Sequence, residues 1–224
     1  MISAVSILLT GQVPAQEEAK VYVDLVLNRG DLSTEELKDS LSALDYSTLW
    51  TFTENCFVYG FIGENYQRLR MKFLSVEHDR LQPDIYAVQG KSRVRSTTCA
   101  LHGELAIEHV RRNPDPDYDV EGVYKDSLIH GFFTVTGAYR FIEDSTCAHA
   151  GSFQGKFISW FYLDADGRVR YDDVIDVADG YTNNEFVGDW RAKNGGTIKR
   201  CNWGDWRIPD SGEFDAGAGE FSPD

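Results

Sequence analysis

The chain has 224 residues, 42% hydrophobic and 13% aromatic, which is enough apolar area for a packed core and too much for a chain disordered throughout. Its 22 Lys and Arg against 36 Asp and Glu leave a formal charge of −14, which argues against nucleic acid as a partner, because that affinity rests on basic side chains displacing counterions from phosphates. No segment approaches the ~20 apolar residues that cross a bilayer as a helix.

At the N-terminus, the apolar ISAVSILL is followed by TGQVPA and then the polar QEEAK, with Val13 and Ala15 at the small-residue positions of a signal-peptidase site. Residues 1–15 are therefore expected to be a signal peptide lacking its basic n-region, and the protein to be periplasmic or secreted. VYVDLVLN (21–28) alternates Val21, Val23, Leu25 and Leu27, which predicts a short strand. One short helix is expected over DLSTEELKDSLSAL: Ser33 and Glu36 form a capping box, and Leu37, Leu41 and Leu44 recur at helical spacing. This amphipathic stripe would lie against a sheet or plug one end of a barrel.

From Phe57 onward the period is two. Strands are predicted over 57–63, 66–76, 84–94, 99–110, 130–143, 153–164, 168–175, 185–192 and 197–208. They are separated by GEN, RLQP, DADG and KNGG, which suit hairpin turns. NPDPDYD (113–119) reads as an exposed loop. A run of strands with short connections is an antiparallel meander, and Gly90, Gly103, Gly137 and Gly155 mark places where a curved sheet can bend. The expected fold is mainly all-β, a meander closing into a barrel-like domain over 16–209, with a Gly-rich acidic tail at 210–224 that could pin Phe214 and Phe221 onto it.

Cys56, Cys99, Cys147 and Cys201 form no CxxC and could pair in three ways, but buried free thiols are the preferred reading in a chain this long.

The tetrapeptide GDWR occurs twice, at 188–191 and 204–207. With a turn centred on Asn194 and Gly195, Trp190 would face a residue near Lys199 and Trp206 would lie beyond the partner strand. A Gly-x-Trp with a nearby Arg is similar to the closing cluster of lipocalins, where it opens the first strand; here it stands in the second-last. More broadly, TENC…GFIG (53–63), YDD after DADG (164–173) and CNWGDWRIP (201–209) resemble a family of uncharacterised exported proteins of gut Bacteroidetes. That resemblance implies export and a single unit, and carries over no catalytic residue.

Two groups of candidate ligand-binding residues follow. The first is an aromatic rim of Trp190, Trp203 and Trp206 with Arg207, suited to stacking on sugars or apolar ligands. The second is a basic ladder. A hairpin at RLQP would set Arg70 beside Arg93, Lys72 beside Lys91 and Arg68 beside Arg95, with Glu104 and Glu108 of the next strand expected to neutralise part of the patch. The sharper alternative is an anion-docking face. His102 and Glu104 share one strand face while Cys99 points to the other, so no zinc set converges, and DADGRVRYDD lacks the acids of a calcium loop; Asp172 and Asp173 are expected to be exposed. No cofactor, metal or catalytic residue is therefore assigned. The expected function is an exported, non-catalytic binding protein for a glycan, lipid or protein ligand. A hydrolase-like enzyme with an acidic cleft and a structural envelope component are the alternatives.

Overall fold

The computed structural model describes residues 15–114, 129–178 and 180–212. Residues 1–14 of the expected signal peptide, most of the NPDPDYD loop and the tail carrying Phe214 and Phe221 lie outside them.

Among the described residues the period-two segments form nine strands: β1 (Val58–Ile62), β2 (Gln67–His78), β3 (Ile85–Val94), β4 (Thr97–Asn113), β5 (Phe132–Glu143), β6 (Gly151–Leu163), β7 (Val169–Tyr171), β8 (Asn183–Ala192) and β9 (Ile198–Asp205). All pair antiparallel in one sheet, and the contacts of β5 with β6 and of β1 with β9 close it into a ring of eight strands, β1-β2-β3-β4-β5-β6-β8-β9. The ninth strand, β7, pairs with the end of β6 that β8 leaves free.

Inward-facing residues fill the ring. Phe133, Tyr139 and Phe141 of β5, Phe153, Phe157 and Phe161 of β6, and Phe186 and Trp203 of β8 and β9 belong to one buried cluster. Trp203 stacks on Phe186 with ring centroids 4.7 Å apart. Such bulk needs small neighbours. Gly155 and Gly188 face each other across β6 and β8, and a Cβ on Gly188 would lie 2.6 Å from the Tyr139 hydroxyl.

Two expectations fail near the N-terminus. Residues 21–28 are not a strand but the end of helix α1 (Ala15–Leu27). Its buried residues, Ala19, Val23 and Val26, follow helical spacing, and Val23 and Val26 pack with Ile158 and Trp160 outside β6; Val21 and Leu25, which completed the apparent alternation, are exposed. The expected helix at 33–44 shrinks to a single turn, α2 (Lys38–Leu41). Glu36 does not reach back to Ser33 but accepts from the Val110 backbone N–H at 2.9 Å, so the capping pair is spent on docking this segment to β4. The leucine stripe still packs as expected: Leu37, Leu41 and Leu44, continued by Tyr46, Leu49 and Trp50, press into the core. Trp50 meets Phe157 edge-on at 5.5 Å and so closes one end of the ring.

The cysteine expectation is corrected as well. Cys99 at the start of β4 and Cys147 in the β5–β6 loop form a disulfide, while Cys56 and Cys201 are free. The neighbouring positions of β4 and β5 in the sheet bring the two together, a proximity that 48 residues of sequence separation conceal.

Candidate functional site

The basic ladder follows from the β2–β3 hairpin. The Asp79 carboxylate caps its turn, accepting from the Leu81 N–H at 2.8 Å. Leu69 and Met71 of β2, and Tyr86 and Val88 of β3, point into the ring, so alternation sends Arg70 and Lys72, and Lys91 and Arg93, outward. The register pairs Arg70 with Arg93 and Lys72 with Lys91. Arg68 lies one step further along β2, facing Phe61 of β1. Arg95 follows the end of β3 with φ +53°, and the Gln67 amide oxygen, turned toward it, accepts from its Nη2 at 2.9 Å. Gln67, Arg68, Arg70, Arg93 and Arg95 line a groove of about 370 Å³.

The acids expected to neutralise this patch are engaged elsewhere. Glu108 forms an ion pair with Lys156 at 2.5 Å, and Glu104 is registered opposite Ala87 and Arg140, not the ladder cations. Across β4, Lys91 and Arg93 face Ala100 and Thr98. Among the described residues, no carboxylate lies within ion-pair distance of Arg68, Arg70, Lys72, Lys91, Arg93 or Arg95. By contrast the nearby Arg200 is paired with both Glu18 and Asp210. Like charges directly opposed on a sheet are destabilising, so this strip works locally against the fold.

The three tryptophans do not form one rim. Trp190 pairs with Lys199 across β8 and β9, as the turn geometry required, and is nearly buried. Trp203 is 2% exposed in the core, leaving its ring no face for a ligand. Trp206 follows β9 with φ +68° and stacks on Phe57 at 4.1 Å, with Tyr181 edge-on to it. The adjoining Arg207 is half-buried beside it.

Trp190 borders a cup at the open end of the ring, about 400 Å³ in volume. Its floor holds Glu143, 7% exposed, whose carboxylate accepts from the Ser92 hydroxyl, the Gly151 N–H at 2.9 Å and Trp190 Nε1 at 3.0 Å. Phe153 supplies an apolar wall, and Arg95, His149 and Lys199 stand at the rim. The Lys199 ammonium lies 5.7 Å from the Trp190 ring centroid. Glu143, His149 and Lys199 were not singled out from sequence. Parity alone offers a signal for Glu143, two residues after the inward-facing Phe141.

A second polar cluster lies at the closed end. Asp205 Oδ2 accepts from Thr53 Oγ1 at 2.7 Å, Asn184 Nδ2 at 2.7 Å and Tyr171 Oη at 3.1 Å. Asn184 also donates to the Leu49 carbonyl and accepts from Ser159, which accepts from Trp50 Nε1, so the network ties the inserted segment to the ring. Burial pushes the Asp205 carboxyl up to about 7, and the three donors only partly offset it. Glu143 and Asp205 line different cavities and do not form a carboxylate pair across one cleft.

At the DADG turn, Gly167 has φ +73° and Asp164 accepts from the Arg168 N–H and from Arg170 Nε. Asp173 is exposed but Asp172 is buried, because Tyr181 and Asn183 fold over it and donate to its backbone carbonyl. Among the described residues, no three His, Cys, Asp or Glu side chains are grouped to hold a metal ion, and no helix is long and apolar enough to cross a membrane.

No protein-family model, curated protein or solved structure matches the chain.

Proposed function

We propose that the protein is an exported, non-catalytic binding module whose ladder holds a linear acidic glycan. One observation carries this reading: six cations lie along one hairpin of a chain with charge −14, two rungs facing directly, with no carboxylate among the described residues to offset them. A chain of sulfates or carboxylates running along the groove would relieve that repulsion. Nucleic acid fits less well, since the overall charge of −14 opposes it. The closed ring supports a barrel-like module of the lipocalin kind, though one filled by aromatic side chains, so ligands are held on its outside and at its open end. The Cys99–Cys147 disulfide supports periplasmic or secreted localisation and accords with the resemblance to exported Bacteroidetes proteins.

The test is binding of heparin and polygalacturonate, with neutral dextran as control, to the protein and to an Arg70→Glu/Arg93→Glu variant. Both polyanions should bind the first, and binding should be lost in the second. Equal binding by both proteins, or none by either, overturns the reading.

A further inference from the structure

The cup and the ladder groove share two lining residues, Gln67 and Arg95, so a chain lying along the ladder arrives at the mouth of the cup. The cup is chemically two-sided. Glu143 is a buried carboxylate with no cation paired to it among the described residues, and its three donors occupy three of the roughly four acceptor positions a carboxylate offers. One acceptor position is left for a ligand hydroxyl. At the rim, Arg95 and Lys199 are cations without a carboxylate partner among the described residues. Trp190, 8% exposed, borders the same cup. A ligand matching these groups carries an acid group and a hydroxyl donor on one compact frame. The volume of about 400 Å³ lies in the range of small-molecule pockets.

We infer that the cup is a second binding site that takes one uronic acid residue, the end of the acidic glycan held by the ladder. The uronate carboxylate meets Arg95 and Lys199, the sugar ring lies at the exposed edge of Trp190, and one hydroxyl donates to Glu143. The chain-end role rests on the ladder reading; the uronate site does not.

The experiment follows the indole N–H resonance of Trp190 in 15N-labelled protein, identified as the one missing from Trp190→Phe, during titration with glucuronate, glucose and acetate. Glucuronate should shift it saturably, and glucose and acetate should not, because each supplies half of the match. Lys199→Met, a substitution at the rim rather than the core, should weaken glucuronate by about tenfold, the loss of one charge-assisted hydrogen bond. Arg70→Glu/Arg93→Glu should leave the glucuronate titration unchanged while abolishing polyanion binding, which separates failure of the cup from failure of the ladder. No saturable shift, an equal response to glucose, or an undiminished affinity in a folded Lys199→Met protein overturns the inference.

Discussion

Raising the pH from 4 to 8 should weaken the fold through Asp205, and comparison with Asp205→Asn isolates the effect. The side chain is 5% exposed, and burial lifts its pKa from the ordinary 3.8 to about 7. Between those values the folded protein keeps a proton that the unfolded chain has released. Stability from this group is therefore fully present below about pH 4, declines as pH rises and levels off above about 7. A gap of about three pKa units at 1.36 kcal/mol each amounts to about 4 kcal/mol. Carboxylates shifted the other way, such as Asp164 held down by the Arg168 N–H and Arg170, contribute stability that is lost at low pH. They are present in both proteins and cancel in the difference. Urea midpoints at several pH values, converted with each protein's own slope, give that difference directly. The wild type should lose about 4 kcal/mol relative to Asp205→Asn across the window. A difference that is flat, or that moves in the wild type's favour as pH rises, refutes the reasoning.

Trp203→Ala should cost about 3–5 kcal/mol in chemical denaturation, since it empties the ring beside Phe186; a near-neutral result would remove Trp203 from the core. Replacing Cys99 and Cys147 together by Ala should lower stability by about 4 kcal/mol on the chain-entropy model, given their separation of 48 residues, and an unchanged denaturation midpoint would contradict the bond's role.

The strands were legible because alternation and turn residues agreed at nearly every step, and that agreement also set the Arg70–Arg93 and Lys72–Lys91 register. Local pattern failed where a tertiary surface decided the outcome. Val21 and Leu25 completed a strand-like alternation, but it is the outer face of β6 that selects Val23 and Val26 and makes the segment helical. Glu185 and Asp189 are charged strand residues that are nevertheless buried: the Tyr22 hydroxyl of α1 donates to Glu185, and Gln154 and Arg191 hold Asp189. The doubled GDWR suggested a shared role, but its copies differ in parity and position. Trp190 stays within β8, whereas the second copy straddles the end of β9 and turns Trp206 out at positive φ. The cup was illegible because it gathers Gln67, Arg95, Glu143 and Lys199 from four separate parts of the ring.

The most direct measurement is the affinity for a size-defined heparin oligosaccharide as a function of salt, for the wild type and for Arg70→Glu/Arg93→Glu. Polyanion binding through the ladder releases counterions, so log K for the wild type should fall linearly and steeply with log salt concentration, while the variant should bind weakly with a much shallower slope. Identical slopes and affinities for the two proteins would show that the exposed cations on β2 and β3 are ordinary solvated side chains.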